Sequence, residues 1–179
     1  MATYENDLRL KEITTGQESG TWGTSTNTNL SLIAEALGYG TEAVFDSDAN
    51  KTTTVADAAT DPARSMYYKV TSSATLSATR ELTIAPNSIS RVMWIENATT
   101  GSQTITIKQG SGATVDINTG KTKIVYLDGA GSSAAVVDAL SLVDTSGSIG
   151  LDSTVRTSAF TAVKNNSYMI YTSSGTFDI

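Results

Sequence analysis

The sequence predicts a mainly β protein: an antiparallel β-sandwich or jelly-roll-like domain preceded by an extended arm and one short helix. Between residues 64 and 140, short apolar runs recur at about ten-residue spacing, each closed by Gly, Ser or Asn, as strands joined by turns do. Ser and Thr number 22 and 29, and Pro only 2; threonine suits a half-buried pleated surface, and such a composition is not that of a disordered linker. Helical periodicity is clear in one place, where Leu30, Ile33, Ala34 and Leu37 fall at i, i+3, i+4 and i+7 and share one stripe.

Met1–Gly20 alternates weakly at Leu8, Leu10 and Ile13, with charges at Arg9, Lys11 and Glu12. It is too short and polar to fold alone, and reads either as an arm that docks by adding a strand to a sheet edge or as a frayed terminus.

The stretch Thr21-Trp22-Gly23-Thr24-Ser25-Thr26-Asn27-Thr28-Asn29 then leads into the helix. Ser25, Thr26, Asn27 and Thr28 offer N-caps, and Gly38 or Gly40 a left-handed C-cap. A helix of about eleven residues, roughly 16 Å long, is marginal in water by itself. Its stripe requires a partner: the β region downstream, another copy of the chain, or a different protein. As a docking element the segment would present Leu8, Leu10, Trp22, Asn27, Asn29, Leu30, Ile33 and Leu37; the alternative is an ordinary helix packed on its own domain. Trp22, between Gly20 and Gly23, has surroundings that cannot bury it locally. The arm and helix (1–40) are expected to be removable, leaving a folded β domain.

Residues 41–63 read as a connecting segment, with Val44-Phe45 and Thr52–Val55 as short strands. Asp46-Ser47-Asp48-Ala49-Asn50 begins like a calcium loop, but lacks the glycine at the sixth place and the Glu at the twelfth, so no metal is expected.

The core domain is placed at 64–140. Its strands are Met66–Val70, Leu82–Ile84, Arg91–Asn97, Thr104–Lys108, Val115–Ile117, Lys121–Asp128 and Ala135–Val137. Arg91-Val92-Met93-Trp94-Ile95 is apolar on both faces, which places it mid-sandwich or in a subunit interface. Val92, Trp94, Ile95 and Tyr126 are therefore the expected oligomer contacts. Tyr67, Tyr68, Trp94 and Tyr126 read either as packing residues or as a sugar-stacking platform. Residues 141–150 read as a linker, and 151–179 as the start of a second β module, expected to continue in a longer chain or to pair with neighbouring chains.

Cys and His are both absent, which excludes disulfides, thiolate nucleophiles, Cys/His zinc sites and imidazole catalysis. A net charge of −6 argues against a nucleic-acid partner, which requires a basic face. No apolar run of about eighteen residues marks a membrane-spanning helix, and the first residues lack the features of a secretory leader. Asn-x-Ser/Thr sequons, those at Asn50, Asn97 and Asn165 among them, are read as chance in a Ser/Thr-rich chain. Carboxylates are the acid–base groups left, but Glu81, Glu96, Asp116 and Asp128 form no positional pair. Glu96 reads as an acid paired with Arg91 or Arg80, or as a strand end facing the surface. No phosphate-binding glycine loop opens a helix. The chain is expected to be non-enzymatic and to hold no cofactor.

The pattern Leu8-Arg9-Leu10, Gly16, Gly20-Thr21-Trp22-Gly23 and Asn27-Thr28-Asn29 before a short apolar helix resembles the virion-attachment segment of tail-fibre-like structural proteins of tailed bacteriophages, marine ones especially. Ile95-Glu96-Asn97-Ala98-Thr99-Thr100-Gly101, Thr104–Ile107, the Gly120-Lys121 turn and Val125–Gly129 are similar to a small β-domain recurring in the same proteins. The resemblance implies a structural role in the virion, attachment through residues 1–40 to another tail, adaptor or collar protein, and a homotrimer. It leaves open a capsid or collar decoration protein, and a module that binds host-surface glycan. Resemblance of this kind implies a role more firmly than a station on the particle.

Overall fold

Alternation of apolar and polar side chains sets which face each strand buries. Among the described residues, nine strands follow one helix: α1 (Trp22–Ala36), β1 (Tyr39–Phe45), β2 (Lys51–Thr54), β3 (Tyr67–Ser72), β4 (Arg80–Ala85), β5 (Ser90–Asn97), β6 (Ile105–Lys108), β7 (Val115–Ile117), β8 (Thr122–Asp128) and β9 (Val136–Asp138). In β3 to β8 the buried residues alternate: Tyr68 and Val70, Leu82 and Ile84, Met93 and Ile95, Ile105 and Ile107, Val115 and Ile117, Val125 and Leu127. The computed structural model describes residues 3–141, within a unit that ends at Leu142. The expected second module, and the expected linker beyond Ser141, lie outside the described residues.

The strands form two open mixed sheets, ordered β1-β3-β5-β8-β9 and β2-β4-β6-β7. The expectation of an antiparallel domain is corrected here. β1, β3 and β5 pair in parallel, as do β2, β4 and β6; the antiparallel pairs are β5–β8, β6–β7 and β8–β9. The physical reason is the winding. The first six strands alternate between the two sheets, so among them each strand entering a sheet lies parallel to the one before it in that sheet. Tyr39, Tyr67 and Trp94 consequently share one cross-strand row, 28 and 27 residues apart. Phe45, Tyr68, Val70, Met93, Ile95, Val125 and Leu127 from one sheet join Leu82, Ile84, Ile105, Ile107 and Ile117 from the other in a single buried cluster. Fully burying a side chain of this size is worth about 1.5–3 kcal/mol, so the inward set of each strand fixes its register.

Several buried polar groups in this core are paired. Asn97 Nδ2 donates to the carbonyls of Gln103 and Ile117, both at 2.9 Å, while its Oδ1 accepts from Thr99 N at 3.2 Å and Oγ1 at 2.7 Å. That sequon asparagine is therefore occupied inside the domain. Glu42 accepts from the hydroxyls of Tyr68 and of Thr53, the latter at 3.1 Å, and so bridges the sheets. Gly40 is required where it stands: a Cβ there would lie 2.3 Å from the Pro62 carbonyl.

Residues 1–40 and 41–63 are not appendages. The segment 41–63 carries β2 and most of β1, which begins at Tyr39, and Arg64, fully buried, gathers the rest. Its Nε donates to Leu8 O at 2.9 Å, and its Nη1 to Glu35 Oε1 at 2.9 Å and Ala59 O at 2.6 Å; its Nη2 donates to Ala56 O. The arm, helix and loop thus meet on one guanidinium. Removal of residues 1–40 would take the Leu8 carbonyl and the Glu35 carboxylate from it, so the expected removable arm is replaced by one that belongs to the domain. Across the coils, Asp48 accepts from Arg80 Nε at 2.7 Å and from Ser77 N at 3.2 Å. Arg80 first, then Ser77, holds its carboxyl well below the usual carboxylate range.

Replacing Arg64 by Met should cost about 3 kcal/mol, because it leaves three carbonyls without this donor and the Glu35 carboxylate with the Asp61 amide but no positive partner; urea unfolding measures it, and a loss under about 1 kcal/mol would mean that the guanidinium is not a buried junction. Asp48 has a folded-state pKa below its unfolded one, so its contribution is complete above about pH 5 and fades as acid lowers the pH towards that folded value. The stability gap between the wild-type chain and Asp48→Asn, followed by thermal unfolding, should hold steady above that pH and close below it.

Candidate docking surfaces

Two surfaces carry apolar side chains that the described chain leaves uncovered. On α1, Trp22, Leu30, Ile33 and Leu37 are 38 to 69 % exposed, whereas Leu32 and Ala36 are buried. The predicted stripe is real but faces outward. Glu35, the only charged residue of the helix, orients it by bonding Arg64, and Asn29 fixes it a second time. Asn29 Oδ1 accepts from Lys11 N at 3.0 Å, and its Nδ2 donates to Lys11 O at 2.9 Å.

The helix has 15 residues and starts earlier than its sequence pattern suggests. Ser25, Thr26, Asn27 and Thr28 are interior residues, and Thr21 stands at the N-cap without a side-chain hydrogen bond. A turn in which the Thr21 and Trp22 amides donate to the Glu18 carbonyl begins it. At the other end the cap is Leu37 in the right-handed region, and neither Gly38 nor Gly40 adopts positive φ. The Gly38 amide closes the last turn on Glu35 O at 2.9 Å. Local backbone turns, rather than side-chain caps, close both ends.

The docking set divides. Leu8 and Leu10 are half-buried and lie in no strand. Leu10 is held through its amide and carbonyl by the Asn6 side chain, both at 2.8 Å, and Leu8 by Arg64, so the arm folds back on its own domain instead of extending. Thr3 and Glu12 form an antiparallel bridge within it. Asn27 lines an open groove of about 500 Å³ with Thr24, Thr28, Ser31 and the loop Ala58–Thr60. Trp22, Leu30, Ile33 and Leu37 remain as the outward set.

The second surface is the outer face of the five-stranded sheet. Tyr39, Tyr67, Trp94 and Ile124 are directly opposite one another on successive strands, and Val92, Tyr126 and Val137 form the next row. Tyr39, Val92, Trp94 and Tyr126 are 40 to 60 % exposed. Ile95, expected among the oligomer contacts, is corrected: it is fully buried in the core, because successive side chains on a strand point to opposite faces and the second sheet covers the one bearing Met93 and Ile95. Tyr68 is buried for the same reason, and burial, with Glu42 beside it, pushes its hydroxyl pKa up. Tyr67 and Tyr39 stack on each other, centroids 5.6 Å apart at 25°. Beyond the aromatic row runs a polar one, Thr41, Lys69, Glu96 and Thr122. Glu96 accepts from Tyr67 Oη at 2.9 Å and pairs with Lys69 Nζ at 3.3 Å, not with Arg80 or Arg91. Burial, and next the Arg64 charge, pushes the Arg91 guanidinium down to about 10; it donates to the carbonyls of Ala63, Arg64 and Ser65.

The other carboxylates weighed for catalysis are dispersed. Glu81 faces Lys108 at 3.6 Å, Asp116 accepts from Thr106 Oγ1 at 2.6 Å, and Asp128 accepts from the amides of Ala130 and Ala135 at 3.0 and 2.9 Å. Among the described residues no group of three acidic side chains comes together around a possible metal position, and no helix is long and apolar enough to cross a membrane. Arg64 and Tyr39 escaped the sequence reading. The spacing of Tyr39, Tyr67 and Trp94 was the available signal for the row, whereas nothing local marks Arg64 as buried. Comparison of the chain with protein-family models, curated proteins and solved structures gives no match.

The two surfaces hold the chain's two tryptophans, Trp22 and Trp94. Covering either should move its emission to shorter wavelength and shield it from iodide, and Trp22→Phe and Trp94→Phe variants report the surfaces separately. Emission and quenching that do not change with protein concentration in either variant would show that self-association covers neither.

Proposed function

We propose that this chain is a non-enzymatic structural protein of a tailed-phage virion. In this reading it is a homotrimer of the tail-fibre type, with its two sheets packed as a sandwich, and it is fastened to a tail, adaptor or collar protein through the region of α1. The observation that carries the reading is the exposed apolar stripe of Leu30, Ile33, Ala34 and Leu37, with Trp22 beside it, on a helix that turns no charge outward. A helix exposed to water ordinarily turns a charged or polar face outward. Contiguous apolar patches of this kind mark interaction sites. The resemblance of residues 1–40 and 95–129 to fibre proteins supplies the particle; the geometry supplies the need for a partner.

A capsid or collar decoration protein uses the same features, since it too requires a compact β domain and an apolar contact. The glycan-binding alternative is less favoured. A sugar stacks on the open face of a ring, and Tyr39 and Tyr67 turn faces towards each other.

Trp22→Ala combined with Leu37→Ser should leave stability within about 0.5 kcal/mol, since both residues are exposed and outside the core. The same variant should weaken incorporation into particles by at least roughly 2 kcal/mol, a factor of about thirty. Normal incorporation of the folded variant would sink the docking role of the helix. Light scattering across a dilution series decides the assembly: a persistent trimer agrees with the fibre reading, and a monomer at all concentrations removes it in favour of decoration or adaptor.

A further inference from the structure

We propose that residues 3–12 form a latch that opens as one unit about Gly16 and Gly20, and that its closure holds the N-terminal half of helix α1, with Trp22, in place. The inference rests on the docking reading of α1 and names what regulates that surface.

The segment is braced on itself. Glu12 N donates to Thr3 O at 3.0 Å, Thr3 Oγ1 to Glu12 Oε2 at 2.7 Å, and Arg9 N to Asn6 O at 2.9 Å. With the bonds between Asn6 and Leu10, these close a compact loop whose ends lie together, as in an Ω-loop. Its ties to the rest of the domain are hydrogen bonds and the Arg9–Asp57 ion pair, with Leu8 and Leu10 only half-buried. Asp7 Oδ1 accepts from Ser90 N at 2.8 Å, Leu8 O from Arg64 Nε at 2.9 Å, and Arg9 O from Ala58 N at 2.9 Å, while Lys11 holds Asn29. No residue from Thr3 to Thr21 is buried, and the core cluster draws no member from before Phe45. Segments with so little buried apolar surface open at lower free energy than a core does.

Two features place the opening here. Gly16 and Gly20 both have positive φ, +86° and +84°, with nothing within 4 Å of where a Cβ would stand. Such glycines absorb a large backbone change without a clash. The Lys11–Glu18 pair lies on the latch side of Gly20 and moves with it. At the contact itself, Arg9 and Ala58 share a backbone hydrogen bond, and both are left-handed without being glycine, at φ 55° and 48°. Residues held in that region store strain, so closure works against strain on both sides of the contact and opening releases it.

The helix is where the latch acts. In its first half, Ser25 and Asn29 are both bonded to Lys11, and an open groove lies between Thr24, Asn27 and Thr28 and the loop Ala58–Thr60. The second half is held differently, by the burial of Leu32 and Ala36 and by Glu35 on Arg64 and on the Asp61 amide. Lys11 is thus the tie on which the half bearing Trp22 depends, and it leaves with the latch.

Amide hydrogen exchange of the full-length chain, followed by NMR, tests the latch. The amides of Lys11, Ala58 and Ser90 each donate across the latch contact, whereas that of Trp94 donates to Met66 O inside the sheet. The three should share one opening constant, on the order of a hundredfold larger than that of Trp94. Asp57→Asn removes the charge partner of Arg9 and touches neither Lys11 nor Ser90. It should nevertheless raise all three equally, by about two- to fivefold, and raise Thr28 and Asn29 of α1 with them. Unequal constants, or an effect of Asp57→Asn confined to Ala58, would mean independent ties and overturn the latch. Constants equal to that of Trp94 would overturn it as well, since the segment then opens only with the whole domain. Thr28 and Asn29 unmoved by Asp57→Asn would overturn its hold on the helix. Exchange is read on the free chain, so normal incorporation of the Trp22→Ala/Leu37→Ser variant into particles would remove the docking reading while the shared opening constant still supported the latch.

Discussion

The buried guanidinium of Arg64 is the junction on which the rest of this structure depends. A charge taken out of water is costly unless its donors are met, and here the acceptors come from segments far apart in sequence: the Leu8 carbonyl, the Glu35 carboxylate, and the carbonyls of Ala56 and Ala59. Arm, helix and loop are therefore committed to one arrangement. That arrangement also decides the orientation of α1, because Glu35 can reach Arg64 only if its own side of the helix faces the domain. Leu30, Ile33 and Leu37 then point away.

The same logic of one face in and one face out governs the sheets. The first six strands alternate between the two sheets, and strands of both sheets contribute their inward sets to a common cluster. The core is finished when the second sheet has covered Met93 and Ile95. Nothing in the described chain does the same for Val92, Trp94 and Tyr126, so a strand apolar on both sides leaves half of its apolar surface outside. Cross-strand stacking, as between Tyr39 and Tyr67, stabilises the ladder without hiding it from water.

A chain with few charges and many Ser and Thr residues leaves uncharged areas available for contact. The carboxylates weighed for chemistry are engaged in ties within and between strands: Glu96 to Lys69 and Tyr67, Asp116 to Thr106, Asp128 to its own loop. What distinguishes this molecule is where its apolar side chains are left, and the proposed structural role is the one that uses those positions.

Sequence by itself determined the secondary structure. Each strand expected from alternation between residues 44 and 137 is present within a few residues or less, and the helix and its stripe were legible, because these depend on neighbours a few positions away along the chain. Whether strands pair in parallel was decided by the tertiary structure, since alternation fixes the two faces of a strand but not the sheet it joins. The burial of Ile95 beside an exposed Trp94 required knowing which face the second sheet occupies. The outward turn of Leu30, Ile33 and Leu37 required Arg64, whose four acceptors are scattered from Leu8 to Ala59 and leave no local pattern. Apolar stripes and alternation are properties of a segment; the side on which they are covered is a property of the whole packed chain.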